Sequence, residues 1–110
     1  MNDVYPDERS MLVAEGILQA RYRHCPDYSC EQLLRPGEPA LLAVDMGPIS
    51  IVFNAGHRIR ISITSSNAPS FSPNPNTGDI YLEAGAAGQV AHTMILHDAD
   101  HPSAVILPVK

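Results

Sequence analysis

The chain has 110 residues, of which 45% are apolar, so it fits one domain with a real hydrophobic core and has no room for a catalytic domain beside an accessory one. Seven Lys and Arg residues against twelve Asp and Glu residues give a formal net charge of −5, so neither nucleic acid nor an anionic membrane is an expected partner. No apolar run is long enough to span a membrane and the N-terminus does not look like a signal peptide, so we expect a cytoplasmic protein.

The first two predicted strands lie on either side of Gly16. Residues 11–14 are apolar at every position, which indicates an inner strand or the lead-in to one. Residues 17–23 alternate between apolar and polar side chains, which is typical of a half-buried strand. Gly16 between them indicates a bulge or a bend.

Two cysteines, Cys25 and Cys30, lie in a polar loop after the second predicted strand. Four residues separate them and no second cysteine pair follows, so the spacing argues against a zinc site. We predict no metal and no other cofactor. The two thiols are expected to be free, or joined in a loop-closing disulfide if the compartment is oxidising. Residues 30–34 can form one helical turn.

The middle of the chain contains two further predicted strands. Residues 40–46 follow a Pro-Gly turn, and residues 58–65 give the clearest signal in the sequence, because isoleucines alternate there with polar side chains. A tight turn over residues 54–57 leads into the second of these strands, and His57 is expected to anchor it.

Arg58 and Arg60 lie on the same face of that strand, two residues apart. Two guanidinium groups at this spacing are a candidate anion clamp. The ordinary alternative, which we favour, is pairing across strands with carboxylates such as Asp45 or Glu15.

A long polar stretch over residues 67–83 is too rich in Pro, Asn, Ser and Gly to form a ladder. Loops of this length without secondary structure are uncommon and are often functional or interfacial. Asn67, Asn74 and Asn76 are therefore candidates for contact with a ligand or at an interface. The Gly- and Ala-rich residues 84–88 indicate a flexible turn.

The last two predicted strands cover residues 90–97 and 104–109, joined by a segment rich in His and Asp. Its two imidazoles and two carboxylates can bind a divalent ion or shuttle protons. We favour a hairpin turn in which Asp98 caps its own backbone. His97 and His101 remain weak candidates for contact with a ligand or at an interface.

About six short strands separated by turns predict an all-β sandwich or barrel as a single domain over residues 1–110. No serine has the Gly-x-Ser-x-Gly setting of a hydrolase nucleophile, and Ser50, the nearest case, is predicted to end a strand. The sequence therefore offers no catalytic residue. Residual hydrolysis by the His97–His101 segment ranks last, because no activated nucleophile accompanies it.

Five motifs, in the same order, resemble the C-terminal non-catalytic domain of the X-prolyl dipeptidyl-peptidase, cocaine esterase and glutaryl acylase family of hydrolases. They cover almost the whole chain and lie at residues 4–7, 11–23, 52–60, 65–67 together with 74–78, and 97–109. The resemblance implies a jelly-roll β-sandwich of the galactose-binding-like type, attached after an α/β-hydrolase domain that holds the Ser-Asp-His triad. It transfers no catalytic residue to this chain.

The sequence departs from the family pattern at Ile51, where a polar Asn is usual, and at Ala68, where an aromatic residue is usual. The first family motif lies well inside the jelly roll, so the resemblance implies an N-terminally truncated sandwich with exposed edges. We therefore expect the chain to form a homo-oligomer, such as a homodimer, or to pack against an α/β-hydrolase domain.

The resulting prediction is a non-catalytic β-sandwich module that supports or shapes a serine hydrolase by packing against it. The alternative is a free-standing small protein that binds a ligand or another protein and reuses this fold, with the loop over residues 67–83 or the missing-strand face as its site.

Overall fold

The structure is a computed structural model that describes residues 1–108. Its regular elements are strands β1 (Asn2–Val4), β2 (Ser10–Leu12) and β3 (Arg58–Arg60), with one 3₁₀ turn at Ala20–Tyr22. The described chain is mostly non-helical and its strands form an antiparallel sheet, as expected of an all-β protein. No helix within residues 1–108 has both the length and the apolar character needed to cross a membrane.

Strand β1 is the centre of the sheet, whose order is β2-β1-β3. Asp3 is paired with Met11 on one side and with Ile59 on the other, and both pairings are antiparallel. The β1–β2 hairpin is closed where the Tyr5 N–H donates to the Arg9 carbonyl over 2.8 Å. The central strand therefore brings together segments more than fifty residues apart in sequence.

Among residues 1–63, the buried residues lie in or next to β1 and β2. Val4 is 1% exposed and Met1 and Ala14 are 6% and 8% exposed. The N-terminal ammonium donates to the Ala14 carbonyl over 2.6 Å, which holds the chain end against the segment that follows β2. Burial of Val4 contributes about 1.5–3 kcal/mol to stability.

The chain divides into two compact units, Met1–Ile63 and Thr64–Lys110. The first contains the sheet and the cysteine pair. The second, as far as residue 108, consists of turns and irregular segments held by local bonds, such as Phe71 N–H to the Asn67 carbonyl and Gln89 N–H to the Pro75 carbonyl.

The predicted strand over residues 17–23 is wrong, because the structure has a 3₁₀ turn there. The N–H groups of Tyr22 and Arg23 donate to the carbonyls of Gln19 and Ala20. These donors are therefore used locally and cannot enter a ladder. The turn supplies the hydrogen bonds that a neighbouring strand would have supplied, and the Arg21 side chain, predicted to face water, is only 12% exposed.

Three predicted strands form no ladder in the described chain, namely those at residues 40–46, 90–97 and 104–108. Strand β3 ends at Arg60 rather than continuing to residue 65. Val109, the end of the last predicted strand, lies outside the described residues. A strand requires a partner that presents matching N–H and C=O groups, and alternation alone does not supply one. The apolar side chains of these segments are accordingly exposed, as at Leu41, which is 87% exposed, and Ile106, which is 90% exposed.

Several turn predictions are confirmed. The His57 N–H donates to the Asn54 carbonyl over 3.0 Å, and Gly56 has a φ of +83°, a conformation that glycine adopts without strain. Residues 67–83 contain no strand or helix. The possible helical turn at residues 30–34 does not form.

Gly16 has a different role from the predicted bulge. A Cβ atom at this position would overlap the carbonyl oxygen of Asp45. The glycine therefore permits two backbone segments to approach each other closely.

Candidate functional site

A part-buried contact between two side chains joins Asp3 of β1 to His57, which lies immediately before β3. The His57 Nδ1 atom is 2.9 Å from each carboxylate oxygen of Asp3. The two side chains are 10% and 4% exposed. The Tyr5 ring covers the imidazole with ring centroids 4.3 Å apart. The antiparallel pairing of β1 with β3 positions both groups, because it places the end of the 54–57 turn beside the central strand.

A carboxylate beside Nδ1 fixes the orientation and the tautomer of an imidazole, as it does in catalytic triads. A triad also needs a nucleophile on the other ring nitrogen. In residues 1–108, the side-chain hydrogen bonds of His57 all go to Asp3. The contact therefore ties β1 to β3, and it agrees with the expectation that His57 anchors its turn.

Charged side chains surround this contact on the hairpin between β1 and β2. Arg58 Nη2 is 2.6 Å from Glu8 Oε1. The guanidinium of Arg9 lies 4.8 Å above the Tyr5 ring and donates to Asp7 over 2.7 Å. The hydrogen bond from the Arg9 side chain lowers the pKa of Asp7. The hairpin thus carries its charges in pairs at the surface.

The anion clamp predicted at Arg58 and Arg60 remains a prediction. Both arginines lie on the exposed strand β3, but the carboxylate of Glu8 already balances the charge of Arg58. The favoured alternative, pairing with a carboxylate, is correct for Arg58. Its partner is Glu8 rather than Asp45 or Glu15, because the hairpin turn carries Glu8 to the end of β3.

The segment from His97 to His101 contains the predicted cap. Asp98 Oδ1 accepts hydrogen bonds from the backbone N–H groups of Asp100 and His101, over 3.0 and 2.9 Å, and lies 3.0 Å from the His101 Nδ1 atom. These bonds, chiefly that of the His101 side chain, lower the pKa of Asp98. Among residues 1–108, no three His, Cys, Asp or Glu side chains are grouped as a metal site would require.

Two of the three candidate asparagines meet at a small polar pocket of about 110 Å³ in the second unit. Its polar lining is Ser65, Ser66, Asn74, Asn76 and Thr93. The third candidate, Asn67, is outside this lining, and its carbonyl accepts the Phe71 N–H.

The wall of this pocket is fixed by hydrogen bonds between two loop segments. Asn76 has a φ of +58°, and its side-chain amide donates to the Gln89 carbonyl over 2.9 Å. The Gln89 N–H in turn donates to the Pro75 carbonyl over 2.8 Å. Asn tolerates this left-handed backbone conformation better than most residues, so residue type and loop geometry agree here.

Cys25 and Cys30 form a disulfide, which is the second of the two predicted states. The loop it closes is further held by Tyr28, whose ring meets that of Tyr22 edge-on with centroids 5.0 Å apart. Next to the loop, Arg21 Nη1 donates to Glu31 over 2.9 Å.

Sequence reasoning did not find Asp3 or strand β1. A three-residue strand is too short to show periodicity, and Asp3 lies 54 residues from its histidine. The local signal is limited to a carboxylate next to the β-branched Val4, ahead of an apolar segment.

Comparison with known proteins places these features in a family. The family described as X-Pro dipeptidyl-peptidase C-terminal non-catalytic domain matches residues 1–106. Cocaine esterase of Rhodococcus sp. is 34% identical over 108 residues, which cover 97% of this chain and 18% of the esterase. Proteins named as serine esterases in Mycobacterium bovis and Mycobacterium tuberculosis are each 34% identical over 90 residues, which cover 68% of this chain and 14% of theirs. The chain thus spans less than a fifth of the length of these curated relatives. No solved structure gives a significant match.

Proposed function

The chain belongs to the family of X-Pro dipeptidyl-peptidase C-terminal non-catalytic domains, and from this membership we propose that it is a non-catalytic module that supports a serine hydrolase by packing against its α/β-hydrolase domain. The observation that carries the proposal is the family match over residues 1–106. The relatives named as esterases support the same assignment, since each contains a region like this chain as a minor part of its length.

We further propose that the complete fold is a jelly-roll sandwich of the galactose-binding-like type. The antiparallel sheet and the low helix content support this. In such a fold the alternating segments at 40–46 and 90–97 would be strands with partners. A packing surface or additional chain that supplies those partners would complete the sheets.

The absence of catalysis by the chain itself is supported by the arrangement of its histidines. In the described chain, the side chain of His57 is bonded to the buried Asp3, and that of His101 to Asp98. Neither pair holds a serine or cysteine nucleophile. We expect the purified chain to leave p-nitrophenyl esters and X-Pro anilides unhydrolysed. Turnover that disappears in His97→Ala or His57→Ala would contradict the proposal.

A packing role is supported by the apolar surface of the chain. Leu41 and Val90 are each 87% exposed and Met94 is 80% exposed. The exposure of large apolar side chains to water is unfavourable, so their burial against a partner would be favourable. The alternating segments that carry these residues are the ones left without ladder partners in the structure.

Direct binding tests this role. Cocaine esterase of Rhodococcus lacking the region that matches this chain is titrated with the purified chain in a calorimeter. We expect saturable binding that Leu41→Asp and Val90→Asp each weaken. Ser70→Asp is the matched control, because it adds the same charge at an exposed polar position and should leave binding unchanged. Absence of binding, or equal loss in all three variants, would contradict the packing role.

A second candidate function, a free-standing small binding protein, is favoured by the pocket at Asn74 and Asn76. Hydroxyl and amide groups around a concavity suit a neutral polar ligand such as a sugar. Under this alternative, galactose raises the melting temperature of the chain saturably. The rise disappears in Thr93→Val, which keeps the shape of the pocket, and persists in Ser72→Ala outside the pocket lining. No shift with galactose would argue against a sugar at this pocket.

A further inference from the structure

A second pocket, of about 130 Å³, lies in the first unit and is lined by Arg23 and by residues 32–35 and 38–40. We propose that it binds the carboxylate group of a small organic acid, with Arg23 and Arg35 as the binding cations. Cations are scarce in this chain, which has seven Lys and Arg residues against twelve acidic ones. Two of the seven line this one pocket.

Arg23 is held in place before any ligand arrives. The side chain is half-buried, and its Nη1 atom donates to the Ala20 carbonyl over 2.9 Å and to the Gln32 carbonyl over 2.6 Å. These two bonds use both hydrogens of Nη1. They leave Nε and Nη2, the adjacent pair of donors with which an arginine binds a carboxylate through two parallel hydrogen bonds.

The surrounding loop fixes the two carbonyls that hold Arg23. The Gln32 N–H donates to the Arg21 carbonyl over 2.8 Å, and Arg21 is paired with Glu31. The Cys25–Cys30 disulfide closes the intervening loop. Pre-organisation of this kind favours binding, because the ligand need not order the site.

The charge of the pocket favours an anion. No carboxylate in residues 1–108 forms an ion pair with Arg23, whereas Glu38 Oε1 lies 3.8 Å from Arg35 Nη1. Two guanidinium groups and one carboxylate leave a single net positive charge. That charge favours an anion, and the side-by-side Nε and Nη2 donors of Arg23 match the two oxygens of a planar carboxylate. The volume is sufficient for a small group of this kind, given about 30 Å³ for one water molecule.

The test is an NMR titration of the full, oxidised chain with sodium acetate, at constant ionic strength maintained by sodium chloride. We expect saturable shifts in the backbone amide signals of residues 32–40. Arg23→Gln should weaken acetate binding about tenfold through loss of charge-assisted hydrogen bonds, and Arg35→Gln should weaken it in the same direction. Arg9→Gln is the control, since Arg9 is an exposed arginine outside this pocket that is paired with Asp7.

Three results would overturn the proposal. They are shifts that do not saturate, equal acetate binding in the wild type and both pocket variants, and inorganic phosphate that binds more tightly than acetate at the same ionic strength. Arg35→Gln keeps the test decisive if Arg23→Gln unfolds the chain, because the Arg35 side chain is 75% exposed and makes little contact with the fold.

Discussion

The contact between the side chains of Asp3 and His57 joins β1 to the turn before β3. Removal of the imidazole in His57→Ala leaves the carboxylate of Asp3, whose side chain is 4% exposed, without its partner. A buried polar group left unsatisfied costs about 1–3 kcal/mol, and more if it is charged. We therefore expect the free energy of unfolding, measured with urea, to fall by at least about 1 kcal/mol in this variant.

The matched control is His101→Ala, which breaks the same type of pair at the surface. The side chains of His101 and Asp98 are 45% and 55% exposed. Exposed pairs contribute little to stability, so this variant should remain close to the wild type. Equal losses in the two variants would show that the burial of the Asp3–His57 contact is unimportant.

The pH dependence of Asp98 is a second prediction for a single residue. Hydrogen bonds from the side chain and the backbone of His101 lower the pKa of Asp98 in the folded chain. The stabilisation by these bonds is therefore present above the unfolded pKa and is lost as the pH falls through the lower folded pKa. The Asp98 carboxyl carbon signal in NMR should titrate below the usual range. In His101→Ala its midpoint should rise, and an unchanged midpoint would contradict the assigned cause.

At the scale of elements, the loop closed by Cys25 and Cys30 is open to a direct test. A disulfide across so short a loop stabilises the folded chain by about 2 kcal/mol through restriction of the unfolded chain. We expect a reducing agent to lower the melting temperature of the wild type. The double variant Cys25→Ser, Cys30→Ser should melt near the reduced wild type and should not respond to the agent. A wild type that is insensitive to reduction would contradict a stabilising disulfide.

Turns and caps could be predicted from the sequence, whereas strand pairing could not. The turn at residues 54–57 and the Asp98 cap depend on bonds between near neighbours, and residue type alone determines them. The pairing of β1 with β3 depends on a partner more than fifty residues away. The alternation over residues 17–23 predicted a strand, because the local bonds that produce a 3₁₀ turn leave no mark on that pattern.

The candidate site residues likewise differ in whether the sequence around them or a distant partner determines their role. Asn74 and Asn76 lie in a conspicuous polar loop and both line one pocket, and their contact with a ligand or at an interface stays a prediction. Asp3 was not predictable, because a lone carboxylate near the start of a chain resembles any surface residue. Its role follows only from its burial beside His57.

At the scale of the whole molecule, the sheet leaves β2 and β3 as outer strands within the described chain. An antiparallel pair of β3 edges would bring Arg58 and Arg60 of two copies together, which is unfavourable. Strand β2, with the sequence Ser-Met-Leu, carries no charge and is exposed. We propose that the isolated chain dimerises through β2, since an uncharged free edge readily accepts another strand.

Sedimentation velocity at micromolar concentration tests this dimer. Met11→Lys places a charge on the β2 edge and should produce a monomer, as edge lysines do in natural sheets. Met94→Lys is the control, because Met94 is 80% exposed and lies outside the strands. A wild-type chain that remains monomeric would remove the proposed dimer.

The proposal that this chain supports a hydrolase is tested most directly by a chimera in which it replaces the matching region of Rhodococcus cocaine esterase. We predict that the chimera hydrolyses esters and melts several degrees above the esterase from which that region has been deleted. We also predict that Leu41→Asp and Val90→Asp together remove this gain while Ser70→Asp does not. A chimera that melts at the temperature of the deleted enzyme, with no gain in ester turnover, would contradict the proposal.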